Sequence, residues 1–205
     1  MGLSADQLRS SLDALAEREP AFAAALARVG YPEPRISERG YATLLRTIIG
    51  QQVSYHAANA VWRKLGKVLG DATDPARMAS ATDEELRSAG FSRQKSGYAR
   101  SLAGLVTAGE LDFTALPADD EEAIALLTKA KGIGRWSAEI YLLFAEGRPD
   151  IFPAGDLAVQ IEVGRMLGLP DRPSEKQARA LAEPWSPHRG AAAVFAWHHY
   201  KTPVI

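Results

Sequence analysis

Two short stretches of the sequence combine residue types that could do chemistry. The first is Leu126-Leu127-Thr128-Lys129-Ala130-Lys131-Gly132-Ile133-Gly134-Arg135-Trp136-Ser137-Ala138-Glu139. An apolar helix ending near Lys131 meets a second helix beginning near Arg135, so Gly-Ile-Gly must reverse the chain between them. Gly132 and Gly134 permit positive φ and let a ligand approach the backbone closely, while Ile133 can pin the turn to the core. The start of the second helix offers unpaired N–H groups and a positive dipole end, where a phosphate is readily held. Lys129, Lys131 and Arg135 surround that spot. Taken alone, the same turn is also an ordinary tight connection between two helices. The second stretch is Phe152-Pro153-Ala154-Gly155-Asp156-Leu157-Ala158-Val159, a Pro-containing loop that opens a helix. Asp156 is most simply its N-cap. A carboxylate held at a helix start is also what a general base or an electrostatic stabiliser requires.

Other chemistries are excluded by composition and pattern. The chain of 205 residues has no Cys, hence no disulfide, thiolate zinc site, Cys nucleophile or cysteine-held iron–sulfur cluster. His56, His188, His198 and His199 show no zinc-protease spacing, so the expected metal set is none. No P-loop or dinucleotide fingerprint is present. The formal charge is -1 and the pI about 6.4, so there is no global pull toward nucleic acid or anionic membrane. Any nucleic-acid contact must be local. Apolar runs such as Ile140 to Ala145 fall far short of the roughly 20 residues that span a bilayer. The expectation is a soluble, unexported, cytoplasmic chain, nucleoid-associated if bacterial, with no membrane partner.

Positioning these residues falls to helices. Short polar residues precede Glu or Gln by three positions at Ser4/Gln7, Thr82/Glu85, Asp119/Glu122 and Ser174/Gln177, the form of a capping box. Apolar residues then recur at three and four, as in Leu8, Leu12, Leu15 or Tyr41, Leu44, Leu45, Ile48. No segment shows the two-residue alternation of a strand. Helices are expected near 4–17, 20–29, 40–50, 55–69, 83–89, 92–108, 119–130, 135–145, 156–167, 174–183 and 188–200. Loops follow from Pro32 and Pro34 in 30–39, and from Pro149 and Pro153 in 148–155. With 46% hydrophobic and 24% charged residues the composition is that of a globular, all-α chain. A cleft between two helical lobes is the natural place for a site.

In these stretches the sequence resembles the helix-hairpin-helix (HhH-GPD) DNA glycosylases, and within them the DNA-3-methyladenine glycosylase II family. The resemblance rests on Lys131-Gly132-Ile133-Gly134-Arg135-Trp136-Ser137-Ala138 and Phe152-Pro153-Ala154-Gly155-Asp156-Leu157-Ala158. Upstream, Ile48-Ile49-Gly50-Gln51-Gln52-Val53-Ser54 and Gly90-Phe91-Ser92-Arg93-Gln94-Lys95 support it, with Tyr98 and Leu102-Ala103 following. Downstream, Trp185-Ser186-Pro187-His188-Arg189 and Ala196-Trp197 match the family's last helix. The motifs occur in the family's order over about residues 40–200.

The resemblance implies a single two-lobed domain over 1–205 with an interlobe active-site cleft, the hairpin motif at about 120–145, and lobes of 36–118 and of 1–35 plus 119–205. It would be a compact form without the family's N-terminal β domain. The implied activity is flipping of a damaged nucleotide and hydrolysis of its N-glycosidic bond, in base excision repair of alkylated purines such as 3-methyladenine and 7-methylguanine. Asp156 falls on the essential aspartate. Gly132, Ile133 and Gly134, with Arg135, fall on the DNA anchor, whose carbonyls can hold a monovalent cation; no other cofactor is implied. Trp136 and Trp197 fall on the base pocket, for which core packing is the alternative, and Ile140 replaces another pocket aromatic. Gln51, Gln52 and Ser54 belong to the loop that enters the duplex, with Gln52 at the wedge position. Lys95 and Arg189 fall on backbone contacts, and Asp150 reads as solvated. Members that also nick the strand carry a Lys where this chain has Trp136, so no lyase step is implied. The expected partner is damaged double-stranded DNA, met by a monomer. The alternative is a helix-hairpin-helix module that binds DNA without chemistry, or a glycosylase for another lesion.

Overall fold

A computed structural model describes residues 2–202. The chain runs through α1 (Ala5–Arg18), α2 (Pro20–Val29), α3 (Tyr41–Gly50), α4 (Tyr55–Leu69), α5 (Pro75–Ser80) and α6 (Asp83–Ser88). It continues through α7 (Arg93–Thr107), α8 (Asp120–Leu127), α9 (Arg135–Tyr141) and a π-helical turn over Leu142–Glu146. It ends with α10 (Leu157–Met166), α11 (Glu175–Ala182), a 3-10 turn over Glu183–Trp185, and α12 (Arg189–Lys201). No strand occurs among the described residues.

The helix starts follow the sequence signals. Ser4, Thr82 and Ser174 form reciprocal capping boxes with Gln7, Glu85 and Gln177. Asp119 accepts from the Glu122 N–H at the start of α8. The segment between α2 and α3 and that between the π turn and α10 are non-helical, where Pro removes backbone donors. Two elements differ from expectation. α5 is an additional short helix capped by Asp74, with Pro75 at its first position. The helix expected over 135–145 switches after Tyr141 to the π turn, a geometry that is rare and concentrates at functional sites.

Contacts group the chain into two compact units, Glu38–Tyr141 and the residues that flank it on both sides. In the middle unit α3 packs on α4, α7 and α9, and α5 packs along α7. Leu44, Leu45, Ile48, Leu65, Met78, Leu86 and Leu102 are fully enclosed there, each worth about 1.5–3 kcal/mol of hydrophobic stabilisation. The hairpin helices α8 and α9 belong to this unit, whereas the sequence reading grouped 119 onward with the termini. Ile133 is buried, and the carbonyl of Gly132 accepts a bond from Gln51 at the end of α3, which draws the hairpin onto the middle segment.

The flanking unit is organised by α12, which packs against α1, α2 and α10. Every residue from Gly190 to Ala196 is buried, as in a helix surrounded on all sides. Its small residues allow close approach: a Cβ on Gly190 would lie 2.6 Å from the carbonyl oxygen of Pro149. Phe22 of α2 meets Trp185 edge-on at 5.1 Å and closes the core.

Candidate functional site

Asp156 is the N-cap of α10, as its position in the sequence suggests. Its Oδ1 accepts three hydrogen bonds: from the Ala158 N–H at 2.9 Å, from the Val159 N–H at 3.1 Å and from the indole Nε1–H of Trp197 at 3.0 Å. The first two are the ordinary capping bonds. The third comes from α12 and fixes the rotation of the carboxylate across forty-one positions of sequence. Trp197 is partly buried, and its ring lies 5.5 Å from that of Phe144 in the π turn. Core packing alone, the alternative to a pocket role, does not describe it. Trp197 is a polar handle on the carboxylate with an aromatic body beside it.

Beneath this pair, Glu162 of α10 is fully buried and accepts from the Nδ1–H of His199 on α12 and from Arg165 at 2.7 Å. His199 in turn receives a hydrogen bond from Arg28 of α2 on Nε2. That donation leaves Nδ1 as the protonated nitrogen, in keeping with the carboxylate opposite it. This cluster joins the helix that carries Asp156 to the helix that carries Trp197. The sequence alone does not reveal it, because i to i+37 pairs of buried polar residues leave no local pattern.

In the middle unit the Gly-Ile-Gly hairpin forms as expected. Gly132 has φ +85°, and a Cβ there would lie 2.2 Å from the Tyr98 ring. Glycine is thus required twice over. The Ile133 N–H donates to the Ala130 carbonyl at 3.0 Å, and the Gly134 carbonyl accepts from Ala138. Lys129 and Lys131 are exposed beside the turn. Arg135 departs from the expected open cation: it donates to Glu121 through both terminal nitrogens and through Nε to Glu139 at 2.9 Å. The Glu121 bonds, with Glu139 beside them, push the guanidinium above its ordinary range against the opposing effect of burial. Its charge is therefore largely offset within the protein.

The loop after α3 is braced at three points. Gln51 Nε2 donates to the Gly132 carbonyl at 2.7 Å. Lys95 Nζ donates to the Ile49 carbonyl at 2.7 Å, and burial pushes this ammonium below its usual range. The Ser54 hydroxyl accepts from the Ala57 N–H as the cap of α4. Gln51, Lys95 and Ser54, expected as DNA contacts, all use these atoms to hold the loop. Between them Gln52 is exposed with φ +56°, the only non-glycine residue at positive φ among the described residues. Such backbone strain persists where surrounding structure imposes it, commonly at a functional site.

Trp136 is 46% exposed on α9, and Ile140 is half-buried. The core-packing alternative for Trp136 is therefore set aside. Arg189 and Asp150 are paired, which corrects the reading of Asp150 as solvated. Arg189 donates Nε at 2.9 Å and a terminal nitrogen at 2.7 Å to Asp150, which also accepts from Ser186 at 2.7 Å. Burial pushes the Asp150 carboxyl up, but the bonds from Arg189 and Ser186 outweigh it and hold it below its ordinary range. Asp150 is a partly buried structural anchor for the start of α12, not a freely solvated carboxylate.

Residues 45–187 match the family model of the HhH-GPD superfamily of base excision DNA repair proteins. The chain belongs to the HhH-GPD superfamily. That match takes in Gln51, the hairpin and Asp156, and ends just before α12. The chain is 32% identical over 161 residues to DNA-3-methyladenine glycosylase 1 of Schizosaccharomyces pombe, across 77% of this chain and 71% of the relative. It is similar in structure to a DNA-3-methyladenine glycosidase from Bacillus halodurans, with TM-score 0.86 and 28% identity over 94% of this chain and 89% of that one. It is also similar to the Schizosaccharomyces pombe 3-methyladenine DNA glycosylase in complex with abasic DNA, with TM-score 0.76 and 29% identity over 94% and 95% of the two chains. The match spans 58% of the length of a Bacillus subtilis relative and 64% of an Escherichia coli one. The all-helical HhH-GPD fold is thus established. No helix among the described residues is long and apolar enough to cross a membrane.

Proposed function

We propose that this HhH-GPD protein is a monofunctional DNA glycosylase that removes alkylated purines from duplex DNA and leaves an abasic site. The observation that carries the reading is Asp156, a carboxylate oriented by two backbone donors and by the indole of Trp197. The two backbone bonds would serve any helix start, but a pure DNA-binding module does not require the third.

In the proposed reaction the damaged nucleotide is turned out of the duplex, at a cost of a few kcal/mol that is least where damage has weakened pairing. Gln52, held in a strained conformation on a braced loop, fills the gap, and its amide can bond the orphaned partner base. The hairpin backbone and the exposed Lys129 and Lys131 take the phosphates. The carbonyls of Ala130, Gly132 and Gly134 each accept one hydrogen bond within the protein. With a second lone pair apiece they suit a monovalent cation, which would add positive charge beside a phosphate.

As the C1′–N bond breaks, its electron pair leaves with the base and positive charge builds on the sugar, which the Asp156 carboxylate stabilises; a water oxygen then bonds to C1′ and the water gives up a proton to that carboxylate. Alkylation at N3 or N7 already makes the base a good leaving group, so little acid assistance is needed. Trp197 and the half-exposed Trp136 each offer an aromatic face for stacking. Trp136 stands where a Lys nucleophile would be required for strand nicking, so the product is a free base and an intact strand. Incubated with methylated duplex DNA, the protein is expected to release free alkylpurine, leaving strands that break only after hot alkali. Binding without release would overturn the reading.

A further inference from the structure

Arg35 lies in the loop before α3 and is exposed to solvent. Its guanidinium carbon sits 4.7 Å from the ring centre of Phe144 and 5.9 Å from that of Trp197. The two rings are 5.5 Å apart and tilted by 38°, and the Trp197 indole holds Asp156. Arg35, Phe144, Trp197 and Asp156 all belong to the flanking unit, so a cation, an aromatic pair and the proposed catalytic carboxylate form one continuous chain of contacts. Arg35 and Trp197 also border the same cavity, ≈ 230 Å³, which Pro32 and Pro34 help to wall.

Aromatic faces attract cations, and a purine alkylated at N3 or N7 is a cation. In this protein a permanent cation already stands against the aromatic pair. Two like charges within reach of the same rings oppose each other, and the opposition is felt most once water has been displaced. A neutral base meets no such penalty. If its edge carries an oxygen or nitrogen acceptor, it gains a partner in the guanidinium, which has five N–H donors and no acceptor.

We infer that Arg35 sets the charge class of the base this site removes, favouring neutral modified purines with an acceptor edge over cationic ones. Hypoxanthine and 1,N6-ethenoadenine are of the first kind, and 7-methylguanine is of the second. The inference rests on the glycosylase reading, sets an order among its bases, and extends them from alkylated purines to hypoxanthine, which carries no alkyl group.

The test is single-turnover base release from three duplexes, each with one of these bases at the same position, by the native protein, Arg35→Gln and Arg35→Lys. Gln keeps a polar side chain but removes the charge, and Lys keeps the charge without the planar fork. Arg35→Gln is expected to raise the rate ratio of 7-methylguanine to hypoxanthine roughly tenfold, the size of an interaction between partly solvated charges. Arg35→Lys should leave that ratio within about twofold of native, since the ammonium retains the repulsion. A ratio unmoved in Arg35→Gln, with both bases still released, overturns the role of Arg35 and leaves the glycosylase reading intact. Release of none of the three bases by the native protein, and of no alkylpurine from methylated duplex DNA, overturns both. Arg35 is on the surface, so melting of Arg35→Gln close to native is expected and is checked alongside.

Discussion

Replacing His199 by Ala is expected to lower folding stability by roughly 3 kcal/mol, the order of the cost when a buried carboxylate loses the donor that satisfies it. Glu162 is fully buried, and its remaining partner, Arg165, has a side chain 64% exposed to water. Without the imidazole, a carboxylate stays in the core with one pairing that solvent weakens, and Arg28 loses the ring nitrogen it donates to. The large cost thus comes from a charge left behind, more than from the bond removed. Replacing Glu162 and His199 together by Leu removes both groups and should recover about half of the loss or more. Urea unfolding of the two variants against native decides it. A loss of under about 1 kcal/mol in His199→Ala would show that water or a rearranged arginine readily takes the place of the ring.

The second large effect is expected at Gly132. A residue with a Cβ at φ +85° meets backbone strain of about 1–2 kcal/mol. The Cβ would also lie 2.2 Å from Cδ2 and 2.5 Å from Cγ of Tyr98, so the ring must move bodily, at roughly 1–3 kcal/mol. Tyr98 resists displacement, because its hydroxyl accepts from Gln94 at 2.6 Å. Gly132→Ala is therefore expected to lose about 3 kcal/mol of stability, and to bind duplex DNA more weakly because the Gly132 carbonyl also anchors Gln51. Tyr98→Ala in the Gly132→Ala background removes the clash and leaves the strain, so part of the stability should return. If the second substitution restores nothing, the cost lies in the backbone alone.

Much of the fold could be read from the chain because its helices begin at strong local signals. Ser4, Thr82 and Ser174 cap where their spacing to Glu or Gln says they should, and Pro-rich loops end helices where a donor is missing. α5 escaped because six residues give too short a period to register, although Asp74-Pro75 is a recognisable start. The π turn escaped because its residues read as a smooth apolar continuation of α9. Asp156 and Trp197 were legible as separate motif positions, and what joins them, a hydrogen bond across the chain, was not. The same limit applies to charges. Arg135, Lys95 and Arg189 look like open cations in sequence, yet each has a protein acceptor that only tertiary contact supplies. Arg35 shows the reverse case, an unremarkable loop residue placed on two aromatic rings by the fold.

Whether Asp156 supplies the charge that cleaves the glycosidic bond is decided by single-turnover base release with Asp156→Asn beside native protein on one methylated duplex. Asn keeps the size of the side chain and an Oδ1 able to accept from Ala158, Val159 and Trp197, and removes the negative charge. Release is expected to fall at least about a hundredfold, as for loss of a group that meets charge developing in the transition state. Duplex affinity should change by no more than about threefold, because phosphate contacts dominate it. Equal release by both proteins would rule out a catalytic Asp156 and move the chemistry to another residue.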